Sequence, residues 1–154
     1  MSREDNAPVA HVLIAEDDDA AAHLIKTNLM RAGLEATFLR ARNGEEVLQM
    51  LDSGAVSTSD KLVLLLDIRM PKIDGIRVLK EIKSSDVFRK IPVIMLTTSD
   101  RAQEVNECYR LGCNAYLKKQ VDYSRFVDSI KKLASFIQSC EIPIIGDLED
   151  GRKP

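Results

Sequence analysis

The chain has 154 residues, 45% hydrophobic and 30% charged, a balance that suits one compact domain with a real core and leaves little room for a second. A formal net charge of -2 gives no electrostatic reason to expect nucleic acid or an anionic membrane as a partner. No apolar run approaches membrane-spanning length, and Met1 to Asn6 lacks the apolar stretch of a signal peptide, so the expected location is the cytoplasm.

Two kinds of segment alternate along the chain. Val9 to Ala15 is a short apolar run that stops at Glu16-Asp17-Asp18-Asp19. Ala22, Ile25, Leu29 and Ala32 then form a helical stripe, with Asp19 expected as N-cap and Gly33 in the position after the C-cap. Glu35 to Arg40 is a weaker strand, and Glu45 to Leu51 a short helix. Asp52 to Asp60, rich in Ser, Thr and Gly, reads as a flexible surface loop. Leu62 to Leu66 is a strand ending at Asp67, followed by a helix opened by Asp74 that turns Val78, Leu79 and Ile82 inward. Pro92 to Leu96 ends at Thr97-Thr98-Ser99. The next helix, capped by Ser99 or Asp100, faces Val105, Cys108 and Tyr109 inward. Ala115 to Leu117 ends at Lys118-Lys119. A last helix, capped by Asp122, carries the stripe Tyr123, Phe126, Val127, Ile130, Leu133, Ala134 and Ile137.

Short apolar runs without alternation suit strands buried on both faces, and strand–helix alternation five times over implies a parallel sheet with helices on both sides. Met30, Met50 and Met95 are expected as core filler. His11 and His23 have no obvious partner in the sequence. Cys108, Cys113 and Cys140 lack Cys-x-x-Cys spacing, which argues for packed thiols rather than a disulfide framework or a zinc site. After Cys140 the chain becomes an acidic, Gly- and Pro-punctuated tail around Ile142-Pro143-Ile144-Ile145. The tail is too short for an output domain. It reads either as an apolar contact surface or as a loose end.

In an open parallel sheet, ligands bind at the carboxyl ends of the strands. Here those ends carry Glu16, Asp17, Asp67, Thr97 and Lys119. Three converging carboxylates repel one another and need counter-charge. Lys119 and a hard divalent cation would provide it; magnesium takes carboxylate and carbonyl oxygen, and the backbone carbonyl of Arg69 could add to the protein's share. A phosphoryl group arriving on Asp67 would then be neutralised from several sides, by the cation, Lys119 and the Thr97 hydroxyl. Alternation sends only one of Lys118 and Lys119 toward such a site. Asp67 alone would be better read as a simple turn-former before Met70-Pro71; its company at the neighbouring strand ends favours the functional reading.

The runs Val12 to Asp18, Leu65 to Gly75, Ile91 to Thr98 and Gly112 to Lys119 together resemble the CheY-like receiver domain of two-component response regulators, from His11 to about Cys140. The resemblance implies a doubly wound α/β fold with a five-stranded parallel sheet in the flavodoxin-like order 2-1-3-4-5 and five helices. It implies an N-terminal arm over residues 1–8, a receiver over 9–140 and a tail over 141–154. Position by position, Asp67 matches the phosphoacceptor, and Glu16 and Asp17 match the acidic pair holding Mg2+. Thr97 matches the switch hydroxyl, with Thr98 beside it, Tyr116 the aromatic that turns inward, and Lys119 the phosphate-contacting lysine. For Tyr116 the alternative of an aromatic that only covers a sheet edge stays open. The implied partner is a sensor histidine kinase, and the implied output is protein contact, including a homodimer through the fourth helix, fifth strand and fifth helix and the tail. One departure is Gln120 where the family usually has proline after the lysine; a trans bond is expected there. With Thr97-Thr98-Ser99, this looks like the small stand-alone receivers that serve bacterial phytochrome histidine kinases.

Two rival readings are weaker. An aspartate-nucleophile phosphatase usually wants an acid two residues after the nucleophile, where Arg69 stands. No glycine-rich nucleotide-binding motif occurs. A pseudo-receiver acting only as an interaction module would not need the full set of acids, threonine and lysine. The chain is therefore expected to be no enzyme beyond self-phosphotransfer and autodephosphorylation.

Overall fold

A computed structural model describes residues 7–146. Five strands and five helices alternate: β1 (Ala10–Ala15), α1 (Asp19–Arg31), β2 (Thr37–Ala41), α2 (Gly44–Asp52), β3 (Lys61–Leu66), α3 (Gly75–Ser84), β4 (Val93–Thr97), α4 (Ala102–Leu111), β5 (Ala115–Lys118) and α5 (Tyr123–Ser139). All strand pairs are parallel and the sheet order is β2-β1-β3-β4-β5, the doubly wound flavodoxin-like arrangement expected. No helix among the described residues is long and apolar enough to cross a membrane.

Strand alternation splits the core into two layers. Leu13, Ala15, Leu62, Leu64 and Leu66 pack with Val47, Val78, Leu79, Ile82 and Cys108 from α2, α3 and α4. Val12, Ile14, Val63 and Leu65 pack with Ile25, Leu29, Ile130 and Leu133 from α1 and α5. Because β1 and β3 are covered on both faces, their sequences read as unbroken apolar runs.

Several local expectations need correction. Asp18, not Asp19, caps α1, accepting from the backbone N–H groups of Ala20 and Ala21 at 2.9 and 3.3 Å; Asp19 is the first helical residue and pairs with Arg40 of β2 and with Arg42 just after it. Neither Ser99 nor Asp100 is the N-cap of α4. That position is Arg101, without a side-chain cap, and Ser99 turns its hydroxyl to Glu104. Tyr109, Tyr123 and Met30 are exposed rather than buried. Val56 of the expected surface loop is buried in the core. His11 does have a partner, Asp60, at 3.1 Å. Asp74 and Asp122 cap α3 and α5 as expected, and Gly33 follows α1 at φ +90, where glycine is favoured.

The start of the tail folds back on its own chain. Ile144 bridges antiparallel to Lys61, at the beginning of β3. The backbone N–H groups of Ile145 and Gly146 donate to the carbonyls of Asp60 and Thr58 at 2.9 and 2.8 Å. Ile145 is buried in the α2–α4 layer. The loose-end reading therefore does not hold for residues 141–146, and residues 147–154 and 1–6 lie outside the described part.

Candidate functional site

Register puts the charged groups side by side. Ala15 pairs with Leu66, and the Asp67 N–H donates to the Ala15 carbonyl at 3.1 Å, so Glu16 and Asp67 leave their strands together. The Glu16 N–H donates to Ala41 of β2 at 3.0 Å. Thr97 pairs with Lys118, and the Lys119 N–H donates to the Thr97 carbonyl. Four strand ends thus meet at the carboxyl end of the sheet.

Glu16, Asp17 and Asp67 each present a carboxylate oxygen, all within 4.8 Å of one another. Glu16 and Asp67 are buried, at 3% and 7% exposure, while Asp17 is exposed. The Lys119 ammonium sits between the buried pair, donating to Asp67 at 3.2 Å and to Glu16 in a close contact. Lys118 instead leaves the cleft for Asp100 at 2.8 Å, so of the two neighbouring lysines only Lys119 enters it.

One ammonium does not neutralise three carboxylates. Burial pushes the Glu16 carboxyl up from its ordinary value, and the Lys119 hydrogen bond and charge only partly oppose this. Burial also works against the Lys119 charge, but the Glu16 hydrogen bond and the flanking carboxylates outweigh it, and its pKa rises. The site carries excess negative charge in a sheltered place. Its donors are all oxygens, two buried and one open to water, which suits a hard divalent cation that keeps several waters.

The start of α3 is fixed under this cluster by a close approach. A Cβ on Gly75 would lie 2.0 Å from the Asp67 carbonyl oxygen, closer than any side chain permits. The Gly75 N–H also donates to Ile68 at 2.9 Å, so the loop after Asp67 closes tightly under it.

The other predicted residues ring the cluster rather than enter it. Thr97 is fully buried, and its hydroxyl accepts from the Ser99 N–H at 3.4 Å. Thr98 is exposed beside it. The Arg69 guanidinium turns away to Glu104 of α4 at 2.8 Å, which holds the Glu104 carboxyl below its usual range. The Tyr116 hydroxyl donates to the Ser99 carbonyl at 2.8 Å, and burial raises its pKa. Ser99 and Glu104 therefore tie together the loops after β3 and β4; an acid on α4 carries no sequence signal for that role. The described residues contain no cis peptide, so Lys119–Gln120 is trans as expected.

Comparison with known proteins gives a consistent result. A model described as "Response regulator receiver domain" matches residues 12–131. The chain is 32% identical over 138 residues to response regulator Rcp1 of Synechocystis, covering 88% of this chain and 93% of that protein. It superposes on a response regulator receiver domain from Rhodospirillum rubrum with a TM-score of 0.83 and 34% identity, covering 88% and 98% of the two chains. The phosphorylated cyanobacterial phytochrome response regulator RcpA gives a TM-score of 0.80 and 29% identity, covering 89% and 99%.

Proposed function

The chain belongs to the response regulator receiver domain family, and on that premise we propose that residues 9–140 act as a receiver whose Asp67 accepts a phosphoryl group from a histidine kinase. The observation that carries this reading is the Lys119 ammonium, seated between Glu16 and Asp67 at the strand ends. In the transfer, an Asp67 carboxylate oxygen forms a bond to phosphorus while the phosphorus–nitrogen bond to the kinase histidine breaks. Lys119 stays protonated and meets the developing charge on the phosphoryl oxygens. The Thr97 hydroxyl, two residues of backbone from Ser99, takes another of those oxygens, with Thr98 at the rim.

Glu16, Asp17, Asp67 and the Arg69 carbonyl would hold Mg2+, which neutralises charge on the attacking and transferred oxygens when bound. The product adds about -1.5 to -2 of charge. Thr97 then turns toward the phosphate and gives up the Ser99 N–H, and Tyr116, held on Ser99, moves inward with that loop. The chain itself performs only self-phosphotransfer and autodephosphorylation. It works in the cytoplasm, and its output is protein contact through the face of α4, β5 and α5, where Tyr109, Tyr123 and Phe136 are exposed. A second copy binds on that face and on the open side of the tail. The likeness to a phytochrome response regulator supports a phytochrome-type sensor kinase as donor.

Incubation with acetyl phosphate and Mg2+ tests the chemistry. The expected result is a mass gain of one phosphoryl group, blocked by EDTA and absent from Lys119→Ala at the same donor concentration. No gain on the wild type would overturn the reading.

A further inference from the structure

Arg40 stands where the sheet should present an apolar side chain. It pairs in register with Ile14, on the face covered by α1 and α5, yet it occupies the edge strand β2 near the acidic end. Its guanidinium reaches across to the turn between β1 and α1. The Nε–H donates to the Glu16 carbonyl at 2.8 Å, and Nη1 pairs with Asp19 at 3.0 Å. Arg42 pairs with the same Asp19 oxygen at 3.3 Å. Glu16 is therefore held on both sides of its peptide by β2, through its own N–H on Ala41 and its carbonyl on Arg40.

The two anchors of Arg40 fall at residues 16 and 19. Between them lies Asp17, the one exposed acid of the carboxylate cluster, and Asp18, which caps α1. Asp17 is not tied down by a hydrogen bond of its own among the described residues. The third guanidinium nitrogen, Nη2, is buried without a partner. A buried donor left unpaired is costly, so the arginine is kept in a position that does not satisfy it fully. The planar fork of arginine holds its two acceptors in a set geometry, whereas the ammonium of lysine is a compact point charge on a flexible stem.

We propose that Arg40 is a positioning residue that fixes the Glu16–Asp17 turn in the geometry a divalent cation requires. This rests on the reading of Glu16, Asp17 and Asp67 as the cation site. Arg40 touches neither the cation nor the phosphoryl group; it acts through the backbone that carries the two acids. Outer partners of metal ligands are worth about 10–100-fold in metal affinity.

The test is Mg2+ titration by calorimetry of the wild type, Arg40→Met and Arg40→Lys, with thermal melts in EDTA to confirm folding. Arg40→Met should bind Mg2+ about tenfold or more weakly, and Arg40→Lys should fall between it and the wild type. Amide exchange at Asp17 and Asp18 in the metal-free protein should quicken in Arg40→Met. At saturating Mg2+ the phosphorylation rate should return to within about twofold of the wild type, since only positioning of the cation's ligands was lost. Wild-type Mg2+ affinity in a folded Arg40→Met or Arg40→Lys would overturn the inference. A wild type that binds no Mg2+ would instead sink the cation-site reading beneath it.

Discussion

Replacing Glu16 with glutamine should stabilise the metal-free protein. On a scale with an effective dielectric near 20, two unit charges 4.8 Å apart repel by about 3.5 kcal/mol, and the Glu16 and Asp67 oxygens are at least that close. The attraction lost to Lys119 is of the order of the Lys119–Asp67 contact at 3.2 Å, about 5 kcal/mol on the same scale. Exposed Asp17 adds further repulsion, so the pairwise terms nearly cancel. Burial of the Glu16 carboxylate then decides the sign, consistent with its raised pKa. With the Asp67 and Asp17 repulsion and the burial of Glu16 set against the lost Lys119 attraction, a net gain of about 1–2 kcal/mol is expected here. The amide can still accept from the Asp18 N–H, as Glu16 does at 3.0 Å.

The assay is urea unfolding in EDTA near neutral pH, with the same m-value for both proteins. The pH dependence has a definite sign. A carboxyl whose folded pKa is raised contributes stability that is fully present below its unfolded value of 4.5 and is lost as pH rises through the folded value. The advantage of Glu16→Gln should therefore shrink as pH falls toward that value. Mg2+ should stabilise the wild type more than the variant by mass action. A Glu16→Gln protein no more stable than wild type in EDTA at neutral pH would refute the reasoning.

Three further outcomes are expected. Burial pushes the Cys108 thiol up to about 12 and raises Cys113 as well. Iodoacetamide at about pH 8 should therefore modify half-buried Cys140 and spare the other two until urea unfolds the chain; equal labelling rates would contradict the packing. Gly75→Ala forces a Cβ onto the Asp67 carbonyl and should cost more than about 2 kcal/mol in thermal or urea unfolding, together with slower phosphorylation. Ile145→Ala should destabilise by about 2 kcal/mol, the low end for a buried isoleucine, because the tail can relax outward; unchanged unfolding would show that the tail adds no core.

The fold was legible because its strongest signals are local. β1 and β3 are buried on both faces, so their apolar runs carry no competing period, and each is punctuated by the acids that end it. The cluster was legible for the same reason: Glu16, Asp67, Thr97 and Lys119 each terminate a strand or follow one, and parallel topology brings such ends together. What the residues concealed was long-range or depended on single-position choices. Asp18 and Asp19 are both good caps, and only the backbone geometry selects one. Arg40 reads only as the last residue of a weak strand, while its role depends on a carbonyl 24 residues earlier in the chain. Glu104 bonds Arg69 across two loops, which no helical pattern foretells. Ile145 looked like part of a loose apolar patch, because its burial depends on a bridge from Ile144 to Lys61 far back in the chain.

The central claim is that Asp67 carries the phosphoryl group. Phosphorylate the protein with acetyl phosphate and Mg2+, reduce it with borohydride, which converts an aspartyl phosphate to homoserine, and sequence the peptides by mass spectrometry. Homoserine should appear at position 67 alone and vanish in Asp67→Asn. Homoserine at another aspartate in the wild type, with none at 67, would contradict the account.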